Sequence, residues 1–125
     1  MAKKVCLDTS VIISVLKQDK NSGMLIDKLE NCEVYISAIT VFELFLRKSN
    51  LEIVEDFVSK LIVLPLDEFS AKLASELHKK QIKSGNTVDL RDLFIAAIAM
   101  SNNCSLLTLD LDDFRKIKEL TLIGI

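Results

Sequence analysis

Four short stretches place an acid where an apolar run meets a helix. They are VCLDTSVI with Asp8, TVFELF with Glu43, RDLFIAAIA with Asp92, and LLTLDLDDF with Asp110. If the four carboxylates converge, they cannot all remain ionised unaided. Two of them about 5 Å apart repel by roughly 3 kcal/mol at an effective dielectric near 20. Either some hold protons, with raised pKa values, or a cation enters. Oxygen donors without histidine or thiolate select hard ions, Mg²⁺ or Mn²⁺. Such ions suit phosphodiester hydrolysis, because they acidify water and stabilise charge on the attacked phosphate and the leaving oxygen. No histidine base is then needed.

Each acid also has a purely local reading. Asp8 suits an N-cap, since its oxygens accept free backbone N–H groups. Thr40-x-x-Glu43 fits a capping box, although Phe42, Leu44 and Phe45 would partly bury the glutamate. Asp89-x-x-Asp92 fits a cap and its first-turn companion, favoured by the helix dipole, with Arg91 free to pair with a neighbour. Asp110, with Asp112 and Asp113 just beyond, fits a solvated turn. Ser10 and Thr108 are candidates to orient ligands or bound water through their hydroxyls, or to make ordinary cap and strand-end hydrogen bonds. Only convergence separates a shared site from four independent caps.

The surrounding pattern supplies the means to converge. Strands are expected at 4–7, 34–37, 62–64, 105–109 and 120–125, with helices over 10–17, 21–31, 40–48, 51–61, 69–83, 89–103 and a turn around 112–117. Met24, Leu25 and Leu29 lie at helical spacing, and Leu51, Val54 and Val58 share one helical face. Pro65 stops the third strand, and Gly85 ends the long helix. Strands rich in Val, Ile and Leu, separated by helices, predict a three-layer α/β/α domain with a central, mostly parallel five-stranded sheet. In such a sheet the carboxyl ends of the strands form the natural site edge, near a topological switch point. Asp8 and Asp110 follow strands there, and Glu43 and Asp92 lie early in helices entered from it.

Composition narrows the function further. The 125 residues carry a net charge of −2, so charge alone does not hold a nucleic acid. Local cations, metal ions or both must do so. Candidate phosphate contacts are Arg47 with Lys48, and Lys79, Lys80 and Lys83; solvated helix faces are the competing reading. The single histidine, His78, lies in the charged stretch ELHKKQIK and reads as a surface residue, which leaves a Ser/His or Cys/His pair little support. Three spaced cysteines without a CxxC fit a reducing compartment. The longest apolar run, residues 93–100, is far short of the roughly 20 residues of a membrane span. A cytoplasmic protein of one domain, residues 1–125, is expected.

LDTSVI, ISAITVFEL, RDLFIAAIA and LLTLDLDDF together resemble the four acidic motifs of PIN-domain nucleases, in order and across essentially the whole chain. The length, without inserted domains, is most similar to VapC-type toxins of toxin–antitoxin pairs. The resemblance implies Mg²⁺- or Mn²⁺-dependent ribonuclease activity, frequent homodimers and inhibition by a small VapB-type antitoxin. It makes Asp8, Glu43 and Asp92 the metal-site core and Asp110 the fourth acid. Asp113 enters as an extra ligand or water-positioning group, Asp112 reads as solvated, and Asp89 is unassigned. Segments 10–17 and 41–46 either form a groove for an antitoxin helix or belong to the core.

Three other readings compete. A receiver-like signalling domain would use Asp67, after the third strand, as phosphoacceptor, but its usual lysine is missing from LTLIGI. A haloacid-dehalogenase-like phosphatase would use the DxD of LLTLDLDDF, with too little chain following. A PIN-like RNA-binding module with little turnover would share the acids without the activity.

Overall fold

The strand Lys3–Leu7 (β1) is buried over its last three residues, Val5, Cys6 and Leu7, because it lies at the centre of the sheet. The computed structural model describes residues 2–124. From β1 the chain continues through helices Thr9–Lys17 (α1) and Ser22–Lys28 (α2) to Cys32–Ser37 (β2). Helices Ala38–Phe45 (α3) and Leu51–Ser59 (α4) lead to Ile62–Leu64 (β3). Glu68–Ser84 (α5) and Leu90–Ser101 (α6) precede Ser105–Leu107 (β4). A short helix, Leu111–Phe114 (α7), leads to Leu122–Ile123 (β5).

All four strand pairings are parallel, in the order β3-β2-β1-β4-β5. The chain builds outward from β1 through β2 to β3, then returns to the other side of β1 with β4. The reversal puts a switch point between β1 and β4, where open α/β sheets bind their ligands. Asp8 N–H donates to Leu107 O at 2.9 Å, so the two strand ends remain joined as the chain leaves the sheet.

Side-chain alternation along the strands feeds two cores. Val5, Leu7, Ile36 and Leu107 pack with Val11, Ile12, Leu25, Leu44 and Val54 from α1–α4. Cys6 and Leu106 face the other way, toward Leu77, Leu93, Ile98 and Phe114. Helix α6 has residues from Leu93 and Ile95 through Ala99 buried, as its nearly all-apolar sequence predicts. This rigid, buried helix fixes the height of its own first turn, which carries Asp92.

The elements agree with the sequence pattern except at their ends. β4 stops at Leu107 rather than running to residue 109, because Thr108 turns its hydroxyl into hydrogen bonds at the strand end. β5 is only two residues long, and the final residue of its expected span, Ile125, lies outside the described residues. Helix α3 starts at Ala38, capped by Ser37, whose Oγ accepts from Thr40 N–H at 3.1 Å. Thr40 is therefore the third residue inside the helix rather than its cap. Gly85 closes α5 at φ +78°, the left-handed conformation glycine adopts without strain. Met24 and Leu51 face outward, whereas Leu25 and Val54 take the buried positions.

Candidate active site

Asp8 occupies the N-cap position of α1, but its side chain makes no capping hydrogen bond. It is 3 % exposed, and two hydroxyls donate to the same oxygen, Oδ2: Thr108 Oγ1 at 2.8 Å and Ser10 Oγ at 2.9 Å. Those hydroxyls are themselves fixed. Thr108 Oγ1 accepts from Asp110 N–H at 2.9 Å, and Ser10 Oγ accepts from Leu109 N–H at 3.1 Å. The ends of β1 and β4 are thereby tied through the carboxylate. Ser10 and Thr108 orient an acid, and Thr108 also makes the strand-end bond that the sequence left as its alternative.

Glu43 lies past the first turn of α3, with its side chain 20 % exposed. Thr9 Oγ1 approaches Glu43 Oε1 at 2.5 Å and Thr40 Oγ1 at 3.3 Å. Arg91 Nη1 lies 3.7 Å from Glu43 Oε2. The site therefore carries its own cation, on the residue before Asp92. Sequence reasoning missed Thr9; its hydroxyl directly after Asp8, on the helix that must pass the second acid, was the available signal.

Asp89 caps α6, accepting from Arg91 N–H at 2.8 Å, and Asp92 follows in the first turn. Partial burial pushes the Asp92 carboxyl up to about 7, assisted by the negative charges of Asp8, Asp89, Asp113 and Glu43. Asp110 is exposed, yet desolvation and then the charges of Asp8 and Asp113 raise its pKa. Burial raises Asp8 against the lowering effect of its hydroxyl donors, with Glu43 adding to the rise. Thr9, next to Asp8, reaches Glu43; Arg91, next to Asp92, lies against the same Glu43; and Thr108 joins Asp8 to Asp110, so the four acids line one rim, with the charge of Asp113 reaching Asp92 and Asp110. An open cleft beside it is lined by Asp110, Asp113 and Arg115.

Other acids and cations lie apart. Asp112 is solvated and pairs with Arg115 at 3.6 Å. Asp67 is a full capping box with Ser70, whose N–H and hydroxyl both donate to its Oδ1. That engagement gives the residue a structural role and removes the support for a phosphoacceptor. Lys80 pairs with Glu119 at 2.9 Å, while Lys79, Lys83 and His78 are exposed.

The donor chemistry of the rim fits a hard divalent cation. It offers carboxylate oxygens alone, and the neutral hydroxyls support the acids without cancelling their charge. Among the described residues, no three acidic, histidine or cysteine side chains are drawn together into a ready-made cage. Mutual repulsion and the Thr9 and Arg91 contacts to Glu43 both oppose such closure.

The raised pKa values predict an unusual pH profile without metal. A carboxyl raised in the folded state stabilises the fold fully only below its unfolded value. That contribution is lost as pH rises through the folded value. In EDTA, the protein is expected to lose stability between pH 5 and pH 8, through the Asp92 value of about 7. Solvent screening of this half-exposed group limits the effect to about 1–2 kcal/mol. Asp92→Asn should flatten that loss and raise the melting temperature at pH 8, the helix dipole offsetting roughly 0.3–1 kcal/mol of the gain. Thermal melts across that range check this; constant or rising wild-type stability contradicts it.

The chain is similar to known proteins over most of its length. A PIN domain family model matches residues 5–120. The chain is similar to Ribonuclease VapC3 of Methanocaldococcus jannaschii, 38% identical over 94 residues, covering 74% of this chain and 94% of that protein. It superposes with TM-score 0.85 on a chain of DNA-bound VapBC from Salmonella typhimurium, 27% identical, covering 99% of this chain and 98% of that one. A chain of VapBC2 from Rickettsia felis, bound to a promoter DNA fragment, shares the fold with TM-score 0.86, 23% identity and 98% coverage of each. The family model spans the whole stretch from the middle of β1 to the approach of β5, including all four acids, and the chain belongs to the PIN domain family.

Proposed function

We propose that this chain, working as one nuclease domain over residues 1–125, is an Mg²⁺- or Mn²⁺-dependent endoribonuclease. We further propose that it is the toxin half of a VapBC-type pair. The observation that supports this most is the rim at the β1/β4 switch point, where carboxylates from remote segments share one electrostatic environment. The RNA substrate is supported by the ribonuclease names of its relatives, and a VapB-type antitoxin by the VapBC complexes among its structural neighbours. A homodimer or higher homo-oligomer in the cytoplasm completes the reading. Among the described residues no helix is long and apolar enough to cross a membrane.

Asp8, Glu43, Asp92 and Asp110 would hold the ion, with Asp113 as an extra ligand or water-positioning group. When bound, the ion supplies Lewis acidity, acidifying water and neutralising charge on the phosphate. The chain does the rest. Ser10 and Thr108 fix the Asp8 carboxylate, and Thr9 fixes that of Glu43. Asp92, with its carboxyl pushed up to about 7, exchanges a proton near neutral pH when no cation is present. Ion binding therefore releases protons and tightens as pH rises.

The test is cleavage of single-stranded RNA by purified protein in EDTA, Mg²⁺ and Mn²⁺. Cleavage is expected with either ion and absent in EDTA. Equal cleavage in EDTA, or none under any condition, overturns the proposal.

A further inference from the structure

An acidic rim repels the polyanion it is meant to cleave, and a net charge of −2 offers no general attraction to offset this. A bound ion would offset part of this repulsion, and a cationic side chain at the rim would add a direct grip on RNA. Among the described ion pairs, the one made to the four acids is Arg91 to Glu43. At 3.7 Å it is longer than a hydrogen bond, and the Arg91 side chain is half exposed. The planar fork of N–H donors therefore remains available to a phosphate.

The guanidinium also lies 5.2 Å from the centroid of the Phe42 ring. Phe42 immediately precedes Glu43 and is 52% exposed. Burial does not account for that position, since Leu44 carries the core contact of the same helix. Aromatic rings and arginine planes are the surfaces on which unstacked RNA bases settle, and the Phe42 ring, with the guanidinium over it, still has about half its surface exposed, 52%.

We propose that Phe42 and Arg91 form a nucleotide clamp at the lip of the acidic rim, the ring stacking on a base of single-stranded RNA and the guanidinium pairing with the flanking phosphate. The proposal rests on the ribonuclease reading above and identifies where its substrate is held. Two elements build the clamp: α3 supplies the ring beside Glu43, and α6 supplies the cation beside Asp92. A nucleotide bound there delivers its phosphate directly to the acids.

Fluorescence anisotropy with a labelled single-stranded RNA, in Mg²⁺, tests this on the full chain. Asp8→Asn serves as the parent so that RNA is not consumed. Phe42→Leu keeps apolar bulk but removes the stacking face, and is expected to weaken binding about tenfold. Phe42→Trp should preserve it. Arg91→Gln should weaken binding and lower the salt slope by roughly 0.7, one phosphate contact on a single strand. Phe42→Leu should leave that slope unchanged. Circular dichroism confirms folding of each variant.

A parent that binds no single-stranded RNA, with a wild type that cleaves none, overturns both the clamp and the reading beneath it; a parent that binds none while wild type cleaves overturns the clamp alone. Parent-like affinity in Phe42→Leu and Arg91→Gln overturns the clamp alone, provided wild type still cleaves RNA. Unchanged RNA affinity with altered self-association by sedimentation assigns the lip to a second protein copy and likewise overturns the clamp.

Discussion

Asp8→Asn is expected to lower metal-dependent RNA cleavage by roughly a thousandfold or more, the equivalent of about 4 kcal/mol of transition-state stabilisation. The substitution preserves shape at a position only 3% exposed. An asparagine carbonyl still accepts from Ser10 and Thr108, so the junction of β1 and β4 keeps its hydrogen bonds. What disappears is the charge, and with it the oxygen pair proposed to hold the ion. Removing that charge from a buried, acid-rich position should leave the metal-free melting temperature at or above wild type. Initial rates in Mg²⁺ and Mn²⁺, alongside thermal melts, measure the two effects. Wild-type cleavage by the variant contradicts the assignment, and marked destabilisation makes Asp8 a structural residue.

Thr108→Val is the second large expectation, because one buried hydroxyl serves two acids. It donates to Asp8 and accepts from the backbone of Asp110. Valine fills the space but breaks both links. Loss of a residue that orients a metal-binding acid typically costs about 10- to 100-fold in affinity or activity. The unpaired groups should also cost about 1–3 kcal/mol of stability. Thr108→Ser retains the hydroxyl and should behave nearly as wild type. If valine and serine variants cleave equally well, the hydroxyl plays no part in placing the acids.

The alternation of strands and helices was legible because both sheet faces are covered, so each strand reads as a short, continuous apolar run. Pro65 and Gly85 also marked element ends by their backbone chemistry alone. The convergence of the acids was legible only as a consequence of parallel topology. Single residues were harder, since an aspartate before a helix looks the same whether it caps or faces a site. For Asp8 the decision is made by Thr108, a hundred positions away in sequence. For Asp67 it is made by Ser70, within the same helical turn. The α3 boundary shifted because Ser37 and Thr40 are both plausible caps, and strand geometry selects Ser37. The Arg91–Phe42 contact joins two helices distant in sequence, which no local pattern encodes.

Carboxylates from four separate segments sharing one divalent ion is the central claim. Substoichiometric Mn²⁺ added to protein carrying ¹³C-labelled aspartate and glutamate carboxyls tests it most directly. The account predicts that the signals of Asp8, Glu43, Asp92 and Asp110 broaden together at the same low Mn²⁺ concentration, while those of Asp56 and Asp67 remain sharp. Broadening confined to one or two of the four, or spread evenly over all surface acids, would contradict it.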